Sequence, residues 1–472
     1  MVERRNLIGG QWIDAHSGAR MNVVDPATDE LVATVPSCGA GEARAAVDAA
    51  SAAWPQWRAR TAGDRATLLR KFAAAVLERA DELARTMVRE GGKPLGEARG
   101  EMVYAASFLS VAADEATRTA GDLVPSSHAD KRILALRQPV GVAVAITPWN
   151  VPAAMITRKL GPALAVGCPM IVKPAGQTPL TALALGEIAQ AVGFPPGVVQ
   201  VITGKSSELV QTWFADPRVR KVSFTGSTEV GRTLVRQSAD NITRLSLELG
   251  GHAPFLVFDD ADVDAAVRGA MANKFRNSGQ TCICANRFYV QSGIYDELVA
   301  KLERAMKGLV LGHGLDEGVT IGPLIDDDGV RKVQRHVDDA RAHGAKIRMG
   351  GHVTRPRPGL TERFYQPTIV DGFGSDMLLA HEETFGPVVP IRRFTDEREV
   401  IELANDSPFG LAAYLFARDV SRVFRVAEAL EYGIVGVNDG APSTAQAPFG
   451  GMKTSGLGRE GGRWGLDAYL ET

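Results

Sequence analysis

The chain has 472 residues, of which 45% are hydrophobic and 23% are charged, and its formal net charge is −2. This length predicts two or more domains, each with a sizeable core. The nearly balanced charge provides no attraction to nucleic acid or to an anionic membrane surface, so we expect neither as a partner. We recognise no signal peptide and no apolar run of about 18 residues, and therefore expect a cytoplasmic protein.

The four cysteines, at positions 38, 168, 282 and 284, do not have the spacing of a disulfide framework, and no histidine lies near them at the spacing of a zinc site. We expect a reducing compartment and no metal. Cys282 and Cys284 follow Gly279 closely, and a small flexible residue lets a substrate approach a thiol. Cys282 is therefore either a catalytic thiol or a small packed residue, the more common fate of a free cysteine.

Residues 40–115 have the apolar spacing of helices, most clearly over 42–53, 65–79 and 81–89. From residue 140, short apolar runs alternate with helical patterns. This alternation predicts a parallel, doubly wound sheet, which binds ligands at the carboxyl ends of its strands. The predicted strands are Val142–Ile146, Met170–Lys173, Val198–Ile202, Val222–Phe224 and Leu245–Leu249. The predicted helices between them are 152–166, 179–192, 206–214 and 228–238.

After Gly250-Gly251 the alternation begins again, with a strand at Phe255–Val257, a helix from Asp262 and a strand at Phe288–Val290. The double glycine is therefore the expected domain boundary. Residues 122–140 have the pattern of an extended apolar ribbon, whose edge requires a partner, so we interpret them as an oligomerisation element. The predicted parts are a dinucleotide-binding domain (1–121 and 141–249), a catalytic domain (250–450) and the oligomerisation element (122–140 and 451–472).

Two glycine-containing segments are candidates for a dinucleotide site. The pattern Gly-x-Gly-x-x-Gly occurs at 456–461, but it does not follow a buried strand, so we interpret it as a chance match. In the segment 224–231 a strand ends, Gly226 and Ser227 follow, and a helix begins. Ser227 would cap that helix, whose free N–H groups and dipole suit a pyrophosphate. An ordinary capped helix is the more common explanation of this segment alone. Lys173, at another strand end, is a ligand contact or a solvated lysine.

Two further residues have the chemistry of a carbonyl-oxidising site. Asn150 closes a strand after Thr147-Pro148-Trp149, where its amide is either an oxyanion donor or, more commonly, a turn residue. Glu248 lies within an apolar run, and burial would raise its pKa towards the range of a general base. The alternative for Glu248 is a structural ion pair. A thiol, a carboxyl group, an amide and a dinucleotide site together suit the oxidation of a carbonyl through a thioester.

Six segments in this order resemble the aldehyde dehydrogenase superfamily along nearly the whole chain. They are Thr147–Asn150, Phe224–Thr228, Leu247–Gly251, Gly279–Cys282, Glu382–Pro387 and Pro448–Gly451. The resemblance implies an α/β fold with a Rossmann-like parallel-sheet cofactor domain, an α/β catalytic domain and a small β oligomerisation element. It also implies a homodimer or homotetramer.

The resemblance implies a role for each candidate. Cys282 would attack the aldehyde, Asn150 and the Cys282 N–H would hold the oxyanion, and Glu248 would activate the water that hydrolyses the thioester. Glu383 would bind the nicotinamide ribose, Lys173 the adenosine ribose and Ser227 the pyrophosphate. The residues implied to bind the cofactor are Thr147, Trp149, Lys173, Gly176, Gly226, Ser227, Glu383 and Phe385.

Within the superfamily the chain most resembles succinate-semialdehyde dehydrogenases, in residues 150–159, 274–277 and 282–287. In that group two arginines and a serine hold the distal carboxylate, and Arg158, Arg276 and Ser443 occupy the matching positions, with Phe449 beside the substrate. Arginine suits this role because its planar fork binds carboxylate bidentately. Taken singly, each arginine has a structural ion pair as its alternative. The implied reaction is the NAD(P)-dependent oxidation of succinate semialdehyde to succinate.

The chain departs from its relatives at two places. Gly176 replaces a glutamate that binds the ribose 2′-hydroxyl in NAD-using relatives, so NADP is favoured and NAD remains an alternative. Val111 and Ala112 replace aromatic residues, which would widen the substrate tunnel and favour bulkier or aromatic aldehydes. CoA-acylating relatives lack the water-activating glutamate, so the presence of Glu248 disfavours a CoA-acylating enzyme. An alternative from another class is a catalytically silent binding or structural protein.

Cys284 is a redox candidate. In an extended segment, residues two apart share a face with their Cα atoms about 6.5–7 Å apart, at the outer edge of disulfide geometry. Some semialdehyde dehydrogenases resemble this chain in such a pair and use it as a redox switch. The resemblance therefore suggests a reversible Cys282–Cys284 disulfide, and a small packed residue is the alternative for Cys284.

Overall fold

The first of two large sheets contains the strands that the alternating pattern predicts. The structure, a computed structural model, describes residues 2–472, and eight of the strands in this range form the sheet. Their order is Gly456–Leu457, Arg244–Glu248, Val219–Thr225, Val142–Ile146, Met170–Lys173, Val199–Val201, Asn6–Ile8 and Gln11–Ile13. The five central strands are parallel and the outer ones antiparallel. All five predicted strands are confirmed.

Helices cover both faces of this sheet because each crossover between parallel strands needs a long connection. The predicted crossover helices are confirmed as Ala154–Val166, Pro179–Ala191, Ser206–Ala215 and Thr228–Gln237. The predicted N-terminal helical region contains Ala40–Ala59, Ala62–Glu78, Ala80–Gly91 and Leu95–Ala116. The helix Leu95–Ala116 packs on Ala154–Val166 and so brings its own side chains to the carboxyl end of the sheet.

The second sheet begins directly after Gly250-Gly251, as the renewed alternation predicts. Its seven described strands are, in order, Lys346–Met349, Thr368–Asp371, Val388–Phe394, Ala285–Gln291, Ala253–Val257, Ala412–Phe416 and Ile434–Val437. All pairings are parallel except that of Lys346–Met349. The helices of this part are Val263–Lys274, Tyr295–Met306, Asp327–Ala342, Leu378–His381, Glu397–Asn405 and Val420–Ala429, with a 3-10 turn at Arg276–Gly279.

Small sheets complete the fold. The predicted extended ribbon is confirmed as a hairpin of Asp122–Val124 with Ile133–Ala135, and Leu123, Leu134 and Leu136 are exposed on it. The remaining short strands are Val2–Glu3, Arg20–Val24, Leu31–Pro36, Gln138–Pro139, Val353–Thr354, Phe364–Tyr365, Phe409–Gly410, Met452–Lys453 and Leu470–Glu471, beside a helix at Gly462–Asp467. Among the described residues, none of the helices has the length and apolarity needed to cross a bilayer.

The linker through Gly250-Gly251 brings the two sheets into close contact. A Cβ atom on Gly251 would overlap the carbonyl oxygen of Cys282, and one on Gly250 would lie 3.1 Å from a carboxylate oxygen of Glu383. Only glycine permits this backbone approach. Since Glu248 ends the strand before the linker, the junction gathers Glu248, Cys282 and Glu383 at one place.

Replacing Gly251 by alanine should lower the free energy of unfolding by about 1–3 kcal/mol, because the added methyl group forces the Cys282 loop away from the linker. Urea unfolding followed by tryptophan fluorescence measures this change. Gly96→Ala is the matched control: a Cβ atom there meets no neighbouring atom within 4 Å and lies in a helix, so that variant should be at least as stable as wild type. Equal stability of Gly251→Ala and wild type would contradict the close approach.

Candidate active site

Cys282 lies in a turn that precedes the strand Ala285–Gln291. Asn277, Ser278 and Gly279 have consecutive positive φ angles of 49°, 56° and 78°. The turn closes with a hydrogen bond of 3.0 Å from the Cys284 N–H to the Thr281 carbonyl. The expectation that Cys282 and Cys284 share the face of an extended segment is therefore wrong. The left-handed residues before them redirect the chain, and a turn rather than a strand presents Cys282.

A cavity of about 290 Å³ opens at Cys282. Its wall contains every residue predicted to contact the substrate, and it also contains several side chains that the sequence did not indicate. The predicted residues in the wall are Asn150, Arg158, Arg276, Cys282, Ser443 and Phe449. The additional ones include Lys93, Glu97, Glu101 and Tyr104. Segments far apart in the chain thus converge on one thiol.

A network of backbone contacts holds Asn150. Its Nδ2 donates to the Gln280 carbonyl at 2.9 Å, which ties it to the Cys282 turn, and its own carbonyl accepts from Lys93 Nζ at 2.7 Å. Lys93 pairs with Glu101 at 2.5 Å, and both side chains are about 95% buried. Glu101 also accepts from the Ala153 N–H at 2.8 Å, at the start of helix Ala154–Val166. One buried ion pair therefore positions both the Asn150 amide and the helix that carries Arg158.

Glu248 is buried at the end of its strand, and neither carboxyl oxygen has a hydrogen-bond partner. Burial, reinforced by the nearby Glu460 carboxylate, raises the pKa of Glu248 well above its usual range, as predicted. The alternative of a structural ion pair is wrong, because no salt bridge within residues 2–472 includes Glu248. Glu460 itself pairs with the buried Lys159 and accepts from Ser223 Oγ at 3.3 Å.

The guanidinium of Arg158 is buried among aromatic rings. It lies 4.1 Å from the ring centroid of Phe449, 4.7 Å from that of Phe108 and 5.7 Å from that of Tyr104. Its Nη2 donates to Tyr104 Oη at 2.5 Å, whereas Nε and Nη1 have no hydrogen-bond partner. The nearest carboxylate oxygen, on Glu460, is 4.0 Å from Nε. Arg158 is therefore held in place with unused donors.

The expectation that Val111 and Ala112 widen the tunnel is wrong. Neither residue belongs to the cavity wall. A side chain at Gly161 would come within 3.1 Å of Ala112 Cβ, so the small residue at 112 permits close packing between helices Leu95–Ala116 and Ala154–Val166. Phe108 and Tyr104, one and two turns earlier in the same helix, are the aromatic residues of that helix next to Arg158.

A second cavity adjoins the first and also contacts Asn150 and Cys282. Five of the predicted cofactor contacts lie in its wall, which includes Trp149, Gly226, Ser227, Glu383 and Phe385. Ser227 caps helix Thr228–Gln237 by accepting from the Val230 N–H at 3.3 Å, as predicted. The buried hydroxyls of Thr147, Thr225 and Thr228 have no partner, which fits a polar ligand at this helix N-terminus.

The other three predicted cofactor contacts, Thr147, Lys173 and Gly176, lie outside that cavity wall. Lys173 is 96% buried, so the solvated alternative for it is wrong, and burial lowers the pKa of its ammonium to about 8. A Cβ atom at Gly176 would meet no other atom within 4 Å. Glu383 accepts from the Gly251 N–H at 3.1 Å, and burial raises the pKa of its carboxyl group to about 7.

Burial, together with Glu383 and Glu248, raises the pKa of the Cys282 thiol to about 12, and Arg158 opposes this. The resting thiol is therefore protonated. Glu248 is close enough to contribute to this rise in pKa, but it belongs to the wall of neither cavity. Within residues 2–472, no group of three or more histidine, cysteine, aspartate or glutamate side chains is arranged to hold a metal ion.

Comparisons with known proteins show which family the chain belongs to. A model of the aldehyde dehydrogenase family matches residues 12–472. The chain belongs to this family. It is 55% identical to an NADP(+) succinate-semialdehyde dehydrogenase of Escherichia coli strain K12 over all of this chain and 97% of the relative. It is 54% identical to a glutarate-semialdehyde dehydrogenase of Pseudomonas putida strain KT2440, with the same coverage.

The fold is shared as well. The crystal structure of an NADP dependent enzyme of E. coli superimposes with a TM-score of 0.98 at 55% identity, covering 99% of this chain and 97% of the other. The α/β fold class and the resemblance to aldehyde dehydrogenases are therefore confirmed. The protein is an aldehyde-oxidising enzyme, and the alternative of a catalytically silent protein is wrong.

The pH dependence of stability should reveal the buried Glu248 carboxyl group. A folded-state pKa raised above the unfolded value of about 4.3 means that folding favours the protonated form. The protonated carboxyl group therefore contributes its full stabilisation below about pH 4.3, and this stabilisation is lost as the pH rises towards the folded-state pKa. Glu248→Gln cannot ionise, so its stability relative to wild type should increase between pH 5 and 8, by up to about 1.4 kcal/mol per pH unit.

Urea unfolding of both proteins at several pH values measures this difference. Other carboxyl groups with raised pKa values, such as Glu90 and Glu97, are present in both proteins, so their contributions cancel. A difference in stability that stays constant with pH would show that Glu248 is not buried in its neutral form.

Proposed function

We propose that this aldehyde dehydrogenase oxidises an aldehyde with a distal carboxylate, succinate semialdehyde, to succinate. The observation that carries the proposal is Arg158: a buried guanidinium has two unpaired donor nitrogens, and the residue lines the same cavity as Cys282. A buried cation without a close acidic partner is costly unless a ligand supplies the charge. Ser443 and Arg276 line the same cavity, so a carboxylate would meet further donors there.

The side chains around Cys282 fit a thioester mechanism. The Cys282 sulfur attacks the aldehyde carbon as its proton passes to water, which leaves the Glu248 carboxylate free for the later hydrolysis. One N–H of the Asn150 side-chain amide donates to the Gln280 carbonyl, and the second is available to donate to the developing oxyanion. The nicotinamide cofactor, when bound, accepts the hydride. Glu248 then takes a proton from the water that hydrolyses the thioester, which frees Cys282 and the acid.

NADP is the proposed cofactor, with NAD as the alternative. Gly176 itself contributes no carboxylate that would repel a 2′-phosphate, a Cβ atom there would meet nothing within 4 Å, and the similar E. coli enzyme is named for NADP(+). The residues proposed to hold the cofactor are those predicted from the sequence: Thr147, Trp149, Lys173, Gly176, Gly226, Ser227, Glu383 and Phe385. The edge-to-face contact of Trp149 with Phe385, 5.7 Å between ring centroids, would border the nicotinamide end.

A second candidate substrate is glutarate semialdehyde, because the similar P. putida enzyme is named a glutarate-semialdehyde dehydrogenase. This aldehyde has the same carboxylate, one methylene group farther from the aldehyde carbon. The preference for bulkier or aromatic aldehydes has lost its basis, because Val111 and Ala112 do not line the cavity.

Self-association and the domain division remain proposals. The exposed leucines of the hairpin 122–135 support a homodimer or homotetramer in which this ribbon forms the contact. The pairing of Gln138–Pro139 with Leu470–Glu471 supports grouping 122–140 with 451–472 as one element. Against this grouping, Gly456–Leu457 pairs with the cofactor-side sheet. The ranges 1–121 and 141–249, and 250–450, are the proposed cofactor and catalytic domains.

The substrate proposal predicts a selective defect in Arg158→Ala. Its kcat/KM for succinate semialdehyde should fall at least about 30-fold, the equivalent of about 2 kcal/mol, because a charge-paired hydrogen bond is lost. Its kcat/KM for butanal, which has the same carbon chain without the carboxylate, should change little. Initial rates with succinate semialdehyde, glutarate semialdehyde and butanal, each with NADP and NAD, measure both preferences. Equal losses for the charged and neutral aldehydes would contradict the proposed clamp.

Cys284 remains a proposed redox partner of Cys282. Both thiols are free, Cys284 is buried, and its sulfur lies beside the Lys274 side chain. Because the two cysteines are separated by one residue of a turn, a disulfide requires the turn to rearrange. A packed Cys284 is the alternative.

If the disulfide forms, peroxide should inactivate the enzyme reversibly, and dithiothreitol should restore most of the activity. In Cys284→Ala the sulfur of Cys282 has no thiol partner, so its oxidation should proceed to forms that dithiothreitol does not reduce. Cys168→Ala, which removes a buried thiol distant from the site, is the control. Equal recovery of wild type and Cys284→Ala would contradict the switch.

A further inference from the structure

A tyrosine that the sequence did not indicate lies at the centre of the carboxylate site. Tyr104 belongs to helix Leu95–Ala116, and its hydroxyl oxygen is 2.5 Å from Ser443 Oγ and 2.5 Å from Arg158 Nη2. The same Nη2 is 3.5 Å from Ser443 Oγ. Three segments of the chain therefore meet at the Tyr104 hydroxyl.

The hydrogen atoms of this cluster can be assigned. The Arg158 N–H donates to the Tyr104 oxygen, because guanidinium has no acceptor. The Tyr104–Ser443 contact uses one of the two hydroxyl protons, so the other is free for a ligand oxygen. Nε and Nη1 of Arg158 are also without a hydrogen-bond partner. Two nitrogens of Arg158, which carry three N–H groups, and one hydroxyl proton are thus unpaired in this cluster, and a carboxylate could accept from such donors.

Among residues 2–472, Tyr104 makes the one short directional contact to the Arg158 side chain. The rings of Phe108 and Phe449 attract the guanidinium through their faces, which holds it near but fixes its in-plane rotation weakly. The contact with Ser443 is long. The hydrogen bond to Tyr104 Oη therefore sets which edge of Arg158 faces the cavity. The Tyr104 ring is in turn fixed by an edge contact with Phe108, 4.7 Å between centroids.

We propose that Tyr104 is a specificity-determining positioning residue, whose hydroxyl orients Arg158 and Ser443 to bind the distal carboxylate of the aldehyde. This inference rests on the proposed function. It assigns a selective role to one hydroxyl group that lies away from the reacting carbon.

Tyr104→Phe removes that hydroxyl and keeps the ring. The KM for succinate semialdehyde should rise about 10-fold or more, the effect of losing a hydrogen bond to a charged group, with kcat within about 2-fold of wild type. The KM for butanal should not change. The dissociation constant of succinate, measured by calorimetry without turnover, should rise by a similar factor. Tyr365→Phe is the control, because it removes a buried hydroxyl that has no partner and lies outside the cavity.

The Ser443→Ala variant provides a second test, which remains informative if Tyr104→Phe is unstable. Ser443→Ala alone should raise the KM for succinate semialdehyde, and combining it with Tyr104→Phe should raise it by less than the product of the single effects, because the two hydroxyls share one free proton. The inference is overturned if the Tyr104→Phe enzyme keeps the wild-type KM for succinate semialdehyde, or if its KM for butanal rises by the same factor. A wild-type enzyme that does not prefer succinate semialdehyde to butanal overturns the proposed function itself.

Discussion

The close approach of the Gly250-Gly251 backbone to the Cys282 turn is the constraint on which the site depends. A methyl group on Gly251 would overlap the Cys282 carbonyl. Because the linker leaves one sheet at Glu248 and enters the other at Ala253, this contact fixes the position of the two sheets at the point where the chemistry occurs. The Gly251 N–H also donates to Glu383, the residue proposed to bind the ribose. Cys282, Glu248 and Glu383 therefore meet at one junction.

Around this junction the protein buries polar groups without internal partners, which is costly in a core unless a ligand completes them. Glu248 has no hydrogen bond, and Arg158 keeps two free nitrogens. Polar groups that do have partners lie beside them and fix the surrounding backbone. The Lys93–Glu101 ion pair holds the backbone around Asn150 and the start of the helix that carries Arg158. The groups proposed to carry the chemistry are therefore the unsatisfied ones, and the satisfied groups beside them supply rigidity.

The sequence predicted what periodicity and strand-end chemistry can indicate. The strands around Asn150, Lys173 and Glu248 were found because buried parallel strands are short apolar runs, and their polar ends face ligands. Tyr104 and the Lys93–Glu101 pair were missed, since nothing in the helical spacing shows that these polar side chains point towards a cavity. The predicted extended geometry of Cys282 and Cys284 was wrong because Asn277 and Ser278 adopt left-handed backbone angles. Of the three left-handed residues, only Gly279 is of a type that signals such a turn in the sequence.

The central claim is that Cys282 forms the thioester and Glu248 releases it. Rapid mixing of enzyme, NADP and succinate semialdehyde, followed by the absorbance of the reduced nicotinamide, tests it directly. Glu248→Gln should produce about one reduced cofactor per active site in a fast phase and then nearly stop, because the thioester is not hydrolysed. Cys282→Ala should produce no fast phase. A fast phase in Cys282→Ala, or a wild-type steady-state rate in Glu248→Gln, would contradict the account.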